Sequence, residues 1–353
     1  MTDDLTLSCH VGLVSLPLNL TAFIANTVLE CEVKVLSSDE AYRVCVGHTA
    51  EEYMTAVGLR DIACTEQLAR LPRSWISLHG PGTYIPTREK KIQALRYYLE
   101  LIRYLLPPDP SLSAATLWHG DTHAENIFVN PENPAEIIGI IDWQSTEIAP
   151  LFEYARKPGF LDHDGTSVEG LERPKKPADF DQLDPQAKST ARILWINQTL
   201  EVYYEAFVRK TNPRLGKVLE YCETSAENLL VLARHLLVDG EAHYVVAVEM
   251  LQSEWSEVPA VKASSEAPAF PFHFSEKETT IMYRDAEDAV KAMNAMNELK
   301  AALGPHFPDR GAVLPGNYER FKSLIQNVKE QFLQKHARDD RERALWEENW
   351  PFD

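Results

Sequence analysis

A short apolar hairpin between two groups of polar residues constrains the fold of this chain more than any other sequence feature. Residues 127–129 and 137–141 are almost entirely apolar, and a turn-forming run, Asn-Pro-Glu-Asn-Pro, separates them. Two short strands around such a turn form an antiparallel hairpin, and we expect the second strand to be buried. Asn126 and Asp142 lie equally far from Pro134 along the chain, so they should meet at one end of the hairpin, with Asp121 on the loop beneath.

These three polar side chains have the chemistry that phosphoryl transfer needs. Magnesium is a hard cation that prefers oxygen ligands, usually one or two carboxylates together with phosphate oxygens and water. Asp142 offers a carboxylate and Asn126 an amide oxygen. Asp121 is placed to orient an attacking hydroxyl and to accept its proton while the phosphoryl group moves. The spacing therefore predicts a magnesium-dependent phosphotransferase site.

The spacing His119-x-Asp121-x-x-x-x-Asn126, followed after the hairpin by Asp142-Trp143, resembles the catalytic loop and metal-binding aspartate of kinase-like enzymes. It is most similar to the aminoglycoside phosphotransferase family, and within that family to a fungal, mitochondria-linked branch. The motifs that carry the likeness are Leu117-Trp118-His119-Gly120-Asp121, Ile127-Phe128-Val129-Asn130-Pro131, Gly139-Ile140-Ile141-Asp142-Trp143-Gln144 and Ala149-Pro150-Leu151-Phe152. A looser likeness extends from about Val44 to the last residue.

The resemblance implies a reaction, two cofactors and a role for each site residue. The reaction is transfer of the γ-phosphate of ATP to a hydroxyl on a small molecule, with Mg²⁺. Asp121 would be the catalytic aspartate, and Asn126 and Asp142 would bind the magnesium. His119 would brace the loop, and Trp143 would replace an aromatic residue that packs beside the metal-binding aspartate.

The N-terminal part departs from the pattern of the resembling family. The resemblance implies an N-terminal lobe that covers the ATP phosphates and supplies a lysine, yet only residues 1–43 precede the matching region. Up to residue 47 the glycines are Gly12 and Gly47, too few for a glycine-rich loop, and Lys34 is the candidate for the phosphate lysine. We expect ATP affinity and turnover to be very low, as in a truncated product, a misplaced gene start or a pseudoenzyme.

The predicted fold is α+β and mostly helical, resembling the C-terminal lobe of a protein-kinase-like fold with a truncated N-terminal lobe. We expect a remnant or irregular segment at 1–43, the kinase-like lobe at 44–260 and an added helical extension at 261–353. Thr49, Thr87 and Ser275 are predicted to cap helices, because a capping side chain there precedes an apolar periodic run. Further helices are expected at 187–211, 214–238, 241–258, 318–337 and 341–350.

Two other functions remain open from the sequence. His119, Asp121 and His123, with His163 as a further ligand, form a candidate cluster for a zinc-dependent hydrolase. A non-catalytic pseudokinase or helical interaction module is the other, since the C-terminal helices carry an apolar face.

Composition excludes some partners and leaves others undetermined. A net charge of -18 would repel a nucleic-acid backbone, and no apolar run is long enough for a membrane span. Five scattered cysteines without metal spacing indicate reduced thiols. The absence of a basic presequence indicates a cytoplasmic protein, whereas the resemblance implies a link to mitochondria. The acceptor molecule and the oligomeric state are not determined by these patterns.

Overall fold

The computed structural model describes residues 49–352 with several gaps. The gaps are Gly120, His123, 144–145, Arg156, 159–160, Asp162, Ser167, Glu169, 308–315 and Asn317. The described residues form two compact units. The hairpin unit is Pro107–Thr224, and the helical unit joins residues 49–106 to residues 225–352.

The secondary structure elements alternate irregularly along the chain. In chain order they are α1 (Ala50–Gln67), α2 (Arg88–Leu105), β1 (Ala115–His119), β2 (Ile127–Asn130), β3 (Asn133–Ile140), β4 (Thr146–Pro150), α3 (Leu151–Tyr154), α4 (Pro185–Thr211), α5 (Pro213–Tyr221), α6 (Ser225–Ala233), α7 (Glu241–Leu251), α8 (Pro259–Lys262), α9 (Glu276–Leu303), α10 (Tyr318–His336) and α11 (Asp340–Glu348). The predicted class, mostly helical α+β, is confirmed. None of the described helices is both long enough and apolar enough to cross a bilayer.

In the helical unit, the predicted helix caps are present. The hydroxyls of Thr49, Thr87 and Ser275 each accept a hydrogen bond from a backbone N–H in the first turn of α1, α2 and α9. At α9 the Glu278 side chain also bonds back to the Ser275 N–H at 2.8 Å, which completes a capping box. One apolar cluster joins α9, α10 and α11 around Phe332, Trp346 and Trp350.

The hairpin unit contains two antiparallel strand pairs, one nested inside the other. β1 pairs with β4 from Ala115 opposite Pro150 to His119 opposite Thr146. Within the chain that this pair encloses, β2 pairs with β3, and Ile127 lies opposite Ile140. Residues 120–145 therefore leave one strand pair, form the hairpin and return to the same pair. All the predicted site residues from 119 to 143 lie in or at the edge of this closed excursion.

An asparagine–proline pair ends one helix of the hairpin unit and starts the next. Pro213 lacks an N–H, so α4 ends before it, while its fixed φ suits the first turn of α5. The Asn212 side chain accepts from the Leu215 N–H at 3.1 Å and caps α5. At the other end of α4, the Asp184 carboxylate accepts from two backbone N–H groups.

Several predicted boundaries differ in the structure. The helix expected at 214–238 is two helices, and the one expected at 241–258 ends at Leu251. In both places a short hydroxyl side chain bonds a backbone carbonyl three residues back: Thr224 to Tyr221 O at 2.7 Å, and Ser253 to Met250 O at 2.8 Å. Such bonds compete with the helical ladder. The strands β1 and β4 were not predicted at all.

The predicted domain division stays a prediction. The helices after residue 260 lie in the same compact unit as α1 and α2, and α9 packs against α7. Residues 1–43, the expected remnant, lie outside the described residues.

A buried ion pair ties α2 to α7 inside the helical unit. Lys91 Nζ lies 2.8 Å from Glu241 Oε2, with 0% and 2% of the two side chains exposed. Lys91 Nζ also donates to Leu236 O at 3.1 Å, and the Tyr84 hydroxyl donates to Glu241 Oε1 at 3.1 Å. Burial, followed by the charge of Glu241, raises the pKa of Tyr84 far above its ordinary value. The tyrosine therefore stays a donor to the carboxylate.

Breaking this pair from one side should destabilise the protein strongly. Lys91→Met leaves the Glu241 carboxylate buried without its cation, so we expect the free energy of unfolding in urea to fall by about 3–5 kcal/mol. Replacing both partners, as Lys91→Met with Glu241→Leu, should cost less than the sum of the single changes. Lys262→Met, which removes the exposed pair with Glu257, is the control and should change little. Equal effects of the two lysine substitutions would contradict this account.

Candidate functional site

A buried histidine connects the two halves of the candidate site. The His119 side chain, at the end of β1, bonds Ile141 O through Nε2 at 2.8 Å and Asp121 N through Nδ1 at 3.3 Å. A carbonyl accepts and a backbone N–H donates, so both bonds require the neutral tautomer with the proton on Nε2. His119 therefore fastens the loop that carries Asp121 to the residue preceding Asp142.

Asn126 is held under the same loop. It is buried, and its Nδ2 donates to the backbone carbonyl of Asp121 at 2.9 Å. This bond orients the amide group, so that Oδ1 is the atom with the chemistry of a metal ligand. Asp121 itself is exposed. The structure thus places the backbone of an exposed aspartate directly beside a fixed amide.

The hairpin closes on Asn126 from the other side. The Ile141 N–H donates to the Asn126 carbonyl at 3.0 Å, continuing the ladder of β2 and β3 by one step. Asp142 is the next residue, and it is half-buried. The expected meeting of Asn126 with the chain at Asp142 is therefore seen in the backbone. The turn is tighter than expected, because β3 already begins at Asn133.

Asp142 has an unusual backbone conformation. Its φ is +63°, in the left-handed region that residues other than glycine seldom adopt, although aspartate and asparagine adopt it more often than most. Strained backbone of this kind tends to lie at functional sites, where the surrounding structure enforces it. The conformation turns the chain sharply at the carboxylate that was predicted to bind metal.

Trp143 packs on the histidine. The two rings lie edge to face with centroids 4.8 Å apart, and Trp143 Nε1 donates to Ile140 O at 2.8 Å. Half of the Trp143 surface remains exposed. Trp143, the residue after Asp142, therefore helps to hold the His119 ring in position.

The donor set fits magnesium better than zinc. Asp142 and Asn126 offer oxygen atoms, the ligands of a hard cation. Both ring nitrogens of His119 are engaged within the protein, and His163 Nε2 lies 3.0 Å from Glu201 Oε2. Within the described part of the chain, no three histidine, cysteine or acidic residues are arranged to hold a metal ion. The predicted zinc ligand His123 lies outside the described residues, as does Lys34.

The sequence reasoning missed a charged cluster in the hairpin unit. On the buried side of α4, Glu201 bonds Lys157 and His163, and Lys157 also lies 2.9 Å from Glu205. Partial burial alone would lower the pKa of Lys157, but its bonds to the two glutamates raise it. Burial likewise acts to raise the pKa of Glu201, yet the bonds from Lys157 and His163 hold it below its ordinary value. The sequence signal for this cluster was the pair Glu201 and Glu205, which lie four residues apart on one face of a helix that has no other acidic residue.

The prediction that the second hairpin strand is buried is wrong. Ile137 and Ile138 are 59% and 62% exposed, and Ile140 and Ile141 are also exposed. Phe128 on the partner strand is 50% exposed. An apolar strand is buried only if another layer covers it, and the described residues do not cover this one. The hairpin therefore presents an apolar surface beside the site.

Comparison with known proteins supports the predicted likeness at the level of the family. Residues 51–155 match the model of the phosphotransferase enzyme family. This part of the chain resembles kinase-like phosphotransferases. The matched residues include β1, the hairpin, β4 and the predicted site residues from His119 to Trp143. No curated protein and no solved structure matches the chain significantly.

Removing the imidazole should loosen the site and the whole hairpin unit. His119→Ala loses two hydrogen bonds and the ring contact with Trp143, so the free energy of unfolding should fall by about 1–3 kcal/mol. Leu117→Ala on the same strand is the matched control, since Leu117 is 59% exposed, and its effect should stay within about 0.5 kcal/mol. Urea denaturation of the full chain measures both. A His119→Ala variant no less stable than the control would contradict the bracing role.

Proposed function

We propose that this chain is a kinase-like phosphotransferase that transfers the γ-phosphate of ATP to a hydroxyl group of a small molecule. The observation that carries this proposal is the network around His119, which holds Asp121, Asn126 and the chain at Asp142 together inside the region that matches the phosphotransferase family. Phosphoryl transfer depends mainly on positioning and charge neutralisation, which such a rigid constellation supplies.

Asp121 is the proposed catalytic residue. Its carboxylate is exposed, while its backbone is held by the His119 ring and by the Asn126 amide. A hydroxyl that hydrogen-bonds this carboxylate is oriented for attack on phosphorus, and its proton has an acceptor as the new bond forms. The fixed backbone reduces the conformational freedom of the carboxylate before the substrate binds.

Asn126 and Asp142 are the proposed magnesium ligands. When bound, Mg²⁺ would neutralise charge on the phosphate oxygens of ATP. Asn126 is fixed by its bond to Asp121 O, and Asp142 by the turn at its left-handed backbone. The exposed apolar strands β2 and β3 beside them suit contact with a nucleotide base or with a covering part of the protein, as the resemblance implies.

A non-catalytic interaction module is the second candidate. The broad uncovered apolar surface of the hairpin favours it, since large exposed apolar patches often bind other molecules. The finer likeness, to the fungal branch that includes the altered inheritance of mitochondria protein 9, and a mitochondrial location are part of the proposal. The rate of turnover, expected to be low because the N-terminal segment does not match that of the family, is measured separately from binding.

Calorimetry with ATP and Mg²⁺ on the full chain separates the two candidates. Asp142→Asn removes the charge but keeps a residue that tolerates a left-handed backbone, so the fold should be retained. We expect it to weaken binding of Mg²⁺–ATP by at least about tenfold, equivalent to about 1.4 kcal/mol, because a carboxylate ligand is lost.

Glu132→Gln is the matched control for this titration. Glu132 is an exposed acid in the hairpin turn, so the same charge is removed away from the site. Affinity should then be unchanged. Equal losses in the two variants would contradict the metal-binding role of Asp142, and no binding by any of the three proteins would favour the non-catalytic module.

A further inference from the structure

Helix α4 carries large hydrophobic residues on its exposed side as well as on its buried side. Its buried residues are Thr199, Glu201, Val202, Glu205 and Val208. Its exposed side carries five large hydrophobic residues spaced three and four positions apart. They are Ile193 (57% exposed), Ile196 (42%), Leu200 (48%), Tyr203 (59%) and Phe207 (65%). We call these five residues the α4 stripe.

The α4 stripe is continuous along one face of the helix. Residues three and four apart on a helix are neighbours, so the five side chains form one row about 21 Å long. Single exposed hydrophobic residues are normal on protein surfaces, whereas a contiguous row marks a contact surface. The spacing is also that of a helix seam that packs against another chain segment.

A basic residue lies at each end of the α4 stripe. Arg192 precedes the stripe and Lys210 follows it, and both are exposed. Within the described part of the chain, neither of them pairs with an acidic group, whereas Lys188 pairs with Asp181 and Arg209 with Glu220. The acids of α4 itself, Glu201 and Glu205, lie on the buried side. In a chain with a net charge of -18, this face selects an apolar segment with acidic ends.

The chain itself contains a segment with that pattern. From Leu5 to Leu29 there is no aspartate, glutamate, lysine or arginine, and the segment is rich in leucine, valine, isoleucine and phenylalanine. Two acids precede it and two follow within three residues: Asp3, Asp4, Glu30 and Glu32. We propose that the segment Leu5–Leu29, which lies outside the described residues, docks on the α4 stripe and covers it.

The tether between the segment and the described chain does not limit this contact. Residues 30–48 can span up to about 60 Å when extended. A tethered segment acts at an effective concentration in the millimolar range, so a contact along one helix face is sufficient.

Other occupants fit the α4 stripe less well. A second copy would bring its own Arg192 and Lys210 to the same place, and one helix face is smaller than the roughly 800 Å² per partner of a stable dimer. A lipid surface with anionic headgroups would repel a chain with this net charge. The apolar hairpin fits the segment less well than the stripe does, because Glu132, Glu136 and Asp142 would face its acidic ends.

Photocrosslinking tests the proposal in the full chain. Tyr203 is replaced by p-benzoylphenylalanine, a conservative change at the centre of the stripe, and the crosslinked peptides are identified by mass spectrometry. We expect crosslinks within one chain to residues 5–29. The same replacement at Tyr318, 53% exposed on α10, is the control and should give no crosslink to that segment. Crosslinks between two chains, to another part of the chain, or none at all would overturn the proposal.

A charge reversal tests why the segment binds there. Arg192→Glu with Lys210→Glu should lower the crosslink yield roughly threefold to tenfold, the effect of two exposed ion pairs. Asp4→Lys with Glu30→Lys in the same protein should restore it. An unchanged yield would overturn the charge-matched docking. Protection of the stripe from crosslinking by phosphatidylserine vesicles, with loss of the link to residues 5–29, would overturn it in favour of a membrane surface.

Discussion

The hydrogen bonds of one buried imidazole hold the candidate site together. His119 receives the Asp121 N–H on one nitrogen and donates to the Ile141 carbonyl with the other, so it links the loop after β1 to the end of β3. His119 is the last residue of β1 and lies opposite Thr146 of β4. The β1–β4 pairing therefore fixes both ends of the segment that contains the hairpin. The bond from Asn126 to the Asp121 carbonyl and the left-handed backbone at Asp142 both lie between these two fixed ends. The site thus consists of the loop at Asp121 and the end of the hairpin at Ile141. Neither can move away without breaking its hydrogen bond to the His119 ring.

Sequence reasoning found the parts of this structure that depend on local interactions. The caps at Thr49 and Ser275 and the hairpin before Asp142 were predicted from neighbouring residues, and the structure contains them. It missed β1 and β4, because their pairing joins segments far apart in the chain and no alternating pattern marks either strand. It also misplaced Ile137 and Ile138, because burial of an apolar strand depends on a covering layer that the strand's own sequence does not reveal.

Two apolar surfaces of the hairpin unit differ in charge, and the difference separates their proposed roles. The hairpin carries Glu132 in its turn and Glu136 in β3, and it ends beside Asp142, so an anionic ligand there needs a cation between itself and these acids. The α4 stripe has Arg192 and Lys210 at its ends and suits an acidic segment directly. The first surface matches the proposed nucleotide side of a phosphotransferase, and the second matches a contact within the chain. Helix α4 thus buries its two glutamates, paired with Lys157 and His163, and exposes the five large hydrophobic residues of the stripe.

The central claim is that the hairpin end and the catalytic loop form one divalent-cation site. Anomalous diffraction from crystals of the full chain grown with Mn²⁺ and ATP tests it most directly, since Mn²⁺ replaces Mg²⁺ at oxygen sites and is located without assumptions about ligands. The account predicts a manganese peak within coordination distance of both Asn126 Oδ1 and the Asp142 carboxylate, with the Asp121 carboxylate nearby. A peak bound elsewhere with these two side chains apart, or no peak at the hairpin, would contradict it.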